Sequence, residues 1–336
     1  MEKTLPAGST EAGPGVVLRA QDVRVYFSKK GFLEKGTVVK AVDGVTLSVR
    51  RGEILALVGE SGSGKTTLGR AAIGLVRPSS GTIILNDGAE QEVGRARGRQ
   101  WKALRKRLQM IFQDPFSSID PNMRVYDALR IPLAAQGVRR REDVRARISD
   151  VMKRVGLPEQ IINNYVFQLS GGQRQRIGIA RVLIFDPVLV VADEPVSMLD
   201  ASLKGDILHI IQNESRTNNV AFLFITHDMA VARVIADRIA VMYLGQVDEI
   251  GAAEATVLDP LHPYTKAMLQ ASPVIDTSLK DKIKKVNIIG ELPQSTAHPS
   301  GCKFHPRCPY AMDVCKEQVP ALKEVKPEHY VACWLY

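Results

Sequence analysis

The sequence predicts an α/β fold that carries a phosphate-binding loop at the end of a buried strand, and two observations predict it. The first is Ile54–Val58, a continuous apolar run of strand length that leads directly into a glycine-rich loop. Such a run fits a strand buried on both faces, as in a parallel sheet covered by helices. The second is the return of that texture after Val188. Residues 188–192, 220–225 and 239–244 read as buried strands, and 202–215 and 229–236 between them have helical periodicity. Strands alternating with helices argue for a parallel α/β sheet.

Taken in order, residues 1–15 are expected to be a loose, flexible start. Residues 16–27 alternate apolar and polar positions and read as a strand. Residues 38–49 read as another, broken by turn chemistry at Asp43-Gly44. Between about 94 and 169 the chain is rich in Arg, Lys, Gln and Met at helical spacing, which predicts a mostly helical subdomain inserted in a core that runs from 16 to 262. From 263 to 336 the prolines 263, 273, 293, 299, 306 and 309 mark a loop-rich extension, separate from that core.

Composition narrows the class. The 336 residues are 45% hydrophobic and 24% charged, the balance of an ordinary folded domain with a small appendage. The first residues lack the apolar middle segment of a secretory signal, and no stretch approaches the roughly 18–20 apolar residues that span a bilayer. A cytosolic chain is expected, with any membrane role supplied by partners. The net charge is +9, with basic density at 95–107 and 139–141. Anionic lipid or nucleic acid would be attracted to it, but a solvated helical face accounts for the same residues.

Gly59-Glu60-Ser61-Gly62-Ser63-Gly64-Lys65-Thr66 fits the pattern G-x-x-x-x-G-K-[ST]. Its glycines let successive N–H groups curl around phosphate oxygens; Lys65 serves the β- and γ-phosphates, and the Thr66 hydroxyl, with Thr67 beside it, faces Mg²⁺ and the nucleotide. A helix starting near Lys65 adds the positive end of its dipole. Further on, the strand at 188–192 ends in Asp193-Glu194. A carboxylate at the carboxyl end of a parallel strand sits where such sheets bind ligands. Asp193 is a candidate Mg²⁺ holder, and Glu194 a candidate general base for an attacking water.

Leu169-Ser170-Gly171-Gly172-Gln173, together with these residues, resembles the ATP-binding cassette (ABC) family, whose signature is LSGGQ. The resemblance implies a RecA-like P-loop core with a helical subdomain, and ATP hydrolysis by paired cassettes. In each pair Ser170, Gly171, Gly172 and Gln173 face the nucleotide of the other subunit. It further implies that Gln113 contacts Mg²⁺ and water, that Asp200 closes a D-loop with Met198 where Ala is usual, and that His227 grips the γ-phosphate. Phe27 matches the residue that stacks on adenine, with Tyr26 as the near alternative.

His262-Pro263-Tyr264-Thr265, Gly290-Glu291-Leu292-Pro293 and the run from Gly301 to Ala311 look like the carboxyl extension of the oligopeptide/dipeptide importer ATPases. That resemblance implies a second ATPase subunit, with a heterodimer favoured and a homodimer possible. It also implies two membrane-spanning permease subunits and an extracytoplasmic solute-binding protein. The chain would be peripheral at the cytoplasmic face of the membrane, and no nucleic-acid partner is expected. Peptides are the favoured solute; relatives for oligosaccharides or nickel, and a soluble ABC ATPase acting on nucleic acid or in cluster assembly, are the alternatives. Cys302, Cys308, Cys315 and Cys333 all fall in about the last tenth of the chain. In a reducing compartment this spacing predicts a four-thiolate site for a [4Fe–4S] cluster or Zn²⁺, and the family resemblance implies the cluster.

Overall fold

A computed structural model describes residues 15–29, 37–113, 119–272, 286, 288–290 and 298–336. Residues 1–14, Asp114-Pro115 and Glu291-Leu292-Pro293 lie outside the described residues. The chain divides into two compact units, one of Met1–Arg50, Ile54–Arg95 and Phe224–Tyr336, the other of Arg51–Glu53 and Ala96–Leu223.

In the first unit, β1 (Val16–Lys29) and β2 (Thr37–Arg50) pair antiparallel, and β4 (Ser80–Asn86) and β5 (Glu90–Glu92) extend the sheet in the order β2-β1-β4-β5. The expected break at Asp43-Gly44 is a bulge instead. Val23 pairs with Val45 and Arg24 with Asp43, so Gly44, at φ 86°, is the extra residue and β2 continues through it. A second sheet of this unit has β3 (Ile54–Val58) parallel to β9 (Arg238–Tyr243), followed by β10 (Gln246–Ala252), β12 (His329–Val331) and β11 (Lys323–Lys326). All five residues of β3 are buried, as the apolar run requires. Helices α1 (Lys65–Ala72), α7 (Met229–Ile235), α8 (Ala253–Leu258) and α9 (Pro263–Ala271) belong to the same unit.

The tail is not a separate extension. β12 pairs with β10 through Glu249↔Val331 and Ile250↔Tyr330. Phe304, 1% exposed, packs in one apolar cluster with Val58, Val241, Tyr243 and Tyr264. The prolines hid this because pairing to a pre-existing strand needs only three residues of tail. His262 explains one of the tail motifs: its Nδ1 accepts the Tyr264 N–H at 3.1 Å as the N-cap of α9, and Pro263 occupies the first turn, where no N–H is needed. Burial pushes the His262 imidazole down to about 3, so the ring stays neutral and can accept. His262→Ala is expected to cost about 1–2 kcal/mol through loss of the cap, read as a lower urea midpoint. Asn, which can cap, should recover most of it.

The second unit is mostly helical: α2 (Gly98–Arg107), α3 (Val125–Ala135), α4 (Arg141–Arg154), α5 (Gly171–Leu183) and α6 (Ala201–Asn218). It also contains β6 (Leu108–Ile111), parallel to β7 (Leu189–Asp193), a strand that the helical texture of the region concealed. β8 (Ala221–Thr226) carries the chain back to the first unit. Leu104 is the buried residue of α2, so the basic run lies on a solvated helix face. Arg154 joins α4 to α6 and the α5–β7 turn, reaching Glu214 at 2.5 Å and Asp186 at 2.9 Å.

Candidate nucleotide-binding site

The phosphate loop follows β3 and ends at α1. Gly64, at φ 102°, is the N-cap and offers no side chain, so the first N–H groups of α1 are left for an anion. A Cβ at Gly59 would land on the Met242 carbonyl and one at Gly64 on the Ala41 carbonyl, which is why only glycine serves at these two positions. Lys65 is buried, and its Nζ donates to the carbonyls of Gly59 (2.7 Å) and Glu60 (2.8 Å) and to Ser63 Oγ (3.3 Å). The ammonium is thereby held over the curl of the loop, the position from which phosphate oxygens can be met. Ser61 and Gly62 are exposed at its tip; Thr66 and Thr67 are half-buried on the first turn of α1.

His227 is exposed between β8 and α7, in the same unit. Its setting is fixed on both sides: Thr226 Oγ1 accepts the Asp228 N–H at 3.0 Å, and Asp228 Oδ1 caps α7 through Ala230 and Val231. Phe27 is 45% exposed near the end of β1. Tyr26 is engaged otherwise, donating its hydroxyl to Asp43 Oδ1 at 2.5 Å, and burial foremost, with Asp43, pushes it up to about 12. The free ring of the two is therefore Phe27.

In the second unit, Asp193 closes β7 and is 4% exposed. Glu194 follows with φ 47°, a left-handed conformation that a side-chain-bearing residue adopts at a cost of order 1–3 kcal/mol. Its carbonyl is pinned by the Ser197 N–H (3.2 Å) and Oγ (3.0 Å), while the buried Gln175 amide donates to the Pro195 carbonyl at 2.7 Å. These bonds hold the strained turn and so aim the Glu194 carboxylate. Gln113, in the loop after β6, brings its Nε2 to Glu194 Oε2 at 3.3 Å. Ser197 and Gln175 carry no sequence signal of this role, because both act through main-chain atoms.

The signature opens α5. Ser170 Oγ accepts the Gln173 N–H (3.2 Å) and Gln173 Oε1 accepts the Ser170 N–H (3.0 Å), a reciprocal capping box. Gly171 is half-buried and Gly172 is buried against Leu203, whose Cδ2 would lie 2.7 Å from an added Cβ. Ser170 and Asp200 are exposed, and Met198 is 62% exposed.

The structure gives the predicted four-thiolate site no support: among the described residues no group of three or more His, Cys, Asp or Glu side chains is placed to hold a metal ion. Cys302 and Cys308 pack on the cluster around Tyr243 and Phe304, and Cys333 packs with Leu261 and Val331, while each of the four thiols stays within electrostatic reach of at least two others. Burial first, helped by neighbouring acidic and thiol groups, pushes Cys302 up to about 12 and Cys333 up to about 11. Main-chain bonds bind the tail together, among them Cys302 N–H to the Cys315 carbonyl at 2.8 Å.

A buried strand feeding this loop, with an acid pair closing a second strand, defines a P-loop nucleotide-binding protein. Residues 42–197 match the family profile described as ABC transporter, and residues 249–315 the one described as oligopeptide/dipeptide transporter, C-terminal region. The oligopeptide transport ATP-binding protein AppF of Bacillus subtilis (strain 168) is 41% identical over 331 residues, 97% of this chain and 99% of that protein. OppF of Salmonella typhimurium, an oligopeptide transport ATP-binding protein, is 41% identical over 95% of this chain and 96% of its own. The chain belongs to the ABC transporter ATP-binding proteins of the oligopeptide/dipeptide family, and is an ABC ATPase. Among solved structures, the ATP-binding cassette MJ0796 in a dimeric, post-hydrolysis state bound to ADP and Pi is similar at TM-score 0.61 and 26% identity. It covers 70% of this chain and 98% of that one. CbiO1 of Clostridium perfringens, part of the transporter complex cbiONQ, is similar at TM-score 0.62 and 26% identity, over 73% of this chain and 92% of that one. Among the described residues no helix is long and apolar enough to cross a membrane.

Proposed function

We propose that this chain is the ATP-hydrolysing subunit that powers import of oligopeptides or dipeptides, docked at the cytoplasmic face of the membrane on two permease subunits. The observation that carries the ATPase part is the phosphate loop with Lys65 held over it and α1 uncapped behind it. Similarity to oligopeptide transport proteins over nearly the whole chain supports the solute class. In this reading Lys65, the loop N–H groups and Thr67 hold the phosphates, and Phe27 stacks on the base. Thr66, Gln113 and Asp193 would hold Mg²⁺, which offsets phosphate charge when bound. Glu194 takes a proton from the attacking water, with His227 at the γ-phosphate. Ser170, Gly171, Gly172 and Gln173, with Asp200, serve the nucleotide of a second ATPase subunit. A binding protein outside the membrane delivers solute to the permeases.

A groove of roughly 340 Å³ in the second unit supports the permease contact. It is lined by Met110, Phe112, Ile131, Pro132, Arg181 and Phe185, and Ile131 is 46% exposed within it. Phe112 lines the groove and the next residue, Gln113, touches Glu194. A short permease helix seated there would thus sit two residues from the proposed base. Purification of the tagged chain from native membranes tests the reading. Two multi-span permeases and a second cassette are the expected companions, and Ile131→Glu should cut their recovery at least about fivefold, since it buries a charge in an apolar contact. Recovery from the soluble fraction with nucleic acid or cluster-assembly proteins would leave the ATPase and refute the importer.

A further inference from the structure

We propose that the carboxyl-terminal segment is a working part of the nucleotide site, with Arg307 as a positioning residue that neutralises Glu60 inside the phosphate loop. The proposal rests on the nucleotide-binding reading above and adds a residue to it.

The phosphate loop of this chain carries an acid, Glu60, next to the glycine that opens it. A carboxylate in a loop built to receive a polyphosphate repels its own ligand unless its charge is offset. Arg307 supplies the offset from a distance of more than two hundred residues in the chain. Its Nη1 donates to both Glu60 carboxylate oxygens, at 3.2 and 3.1 Å, and to the Tyr243 hydroxyl at 3.4 Å. The guanidinium lies 5.8 Å from the centre of the Tyr243 ring, and the Arg307 side chain is 10% and that of Glu60 32% exposed, so the pair is partly shielded from water.

One more contact ties the same segment to the loop, and a second passes the hold on to Lys65. The Glu60 N–H donates to the Tyr264 hydroxyl at 2.8 Å, and the Glu60 carbonyl accepts from Lys65 at 2.8 Å. Glu60 is therefore held by the tail on its side chain and its N–H, while its carbonyl holds the phosphate-binding lysine. Lys303, 5% exposed, donates to Asp43 Oδ2 (2.8 Å) and to the Leu244 carbonyl (2.9 Å), and the Gly245 N–H donates to the Ser63 carbonyl at 2.8 Å. The loop is braced at both ends of its curl. Bracing a ligand loop in its binding shape lowers the ordering cost of binding.

The test is equilibrium binding of MgADP to the full-length chain. Arg307→Met should weaken binding about tenfold, and more at low salt, because Glu60 is left charged and unpaired. Glu60→Gln alone, which removes the carboxylate and leaves the Arg307 charge beside the phosphates, should bind at least as tightly as wild type. The double variant Arg307→Met/Glu60→Gln should return to within about twofold of wild type, a rescue that a purely structural role for Arg307 does not give. Arg307→Lys, which keeps the charge, should lie between, and a thermal melt of each variant registers folding. Wild-type affinity in Arg307→Met, or a double variant as weak as the single one, would overturn the proposal. A wild-type chain that binds no MgADP would overturn the nucleotide-site reading, and this proposal with it.

Discussion

Replacement of Glu194 by glutamine is expected to lower ATP hydrolysis at least about a hundredfold in the assembled transporter while leaving nucleotide binding intact. A positioned general base contributes on the order of 10² to 10⁴ in rate, and the amide cannot take a proton from water. The substitution is nearly isosteric, and the bonds that hold the turn fall on main-chain atoms: Ser197 donates to the Glu194 carbonyl and Gln175 to the Pro195 carbonyl. The left-handed φ of 47° should therefore survive, and the defect should appear in kcat rather than in affinity. Hydrolysis at the wild-type rate would remove Glu194 from the role of base. Glu194→Gly offers a contrast. It relieves the backbone strain and should raise stability slightly, yet it should be as inactive as the glutamine variant.

Lys65→Met carries the second large effect. The ammonium is buried and makes three hydrogen bonds within the loop. Its loss removes the one lysine of the loop and leaves the Gly59 and Glu60 carbonyls without that donor. Charge-assisted bonds contribute roughly 1.5–3 kcal/mol each, so MgATP binding should weaken by about two orders of magnitude or more. Titration of the purified chain with MgATP measures it; an affinity within threefold of wild type would show that the backbone N–H groups alone hold the phosphates.

The difference between what the residues announced and what they concealed has physical causes. Ile54–Val58 and its loop were legible because a doubly buried strand must be apolar throughout and because phosphate binding restricts the loop to glycine where carbonyls crowd it. The capping box of Ser170 and Gln173 is just as local, though in the sequence these residues were legible only through their family match. β6 was hidden because a four-residue parallel strand, Leu-Gln-Met-Ile, is too short to show a period against its helical flanks. The strain at Glu194 had no sequence signal, since nothing in a glutamate marks its φ. Cysteine crowding was legible only as crowding: closeness along the chain says nothing of the angles at which thiols converge, and Cys302 and Cys308 pack on one apolar cluster while Cys333 packs on another. Tyr264, Lys303 and Arg307 lay inside tail motifs that sequence alone could match to a family but not to a partner, because their partners lie far away in the chain.

The pairing of β12 with β10 has a bearing on how this chain avoids pairing with copies of itself. A chain ending at Ala271 would leave the outer edge of β10 bare at Glu249 and Ile250, a ready template for another strand. Glu249 would also lose the His329 ring that it holds at 2.7 Å in the full chain. In the intact molecule the sheet ends instead on β11, four residues reading Lys-Glu-Val-Lys, short and charged as edges that resist self-association are. Truncation for crystallisation or expression would therefore trade a guarded margin for a sticky one, and because it also takes Phe304 out of the core, aggregation and lost stability would arrive together.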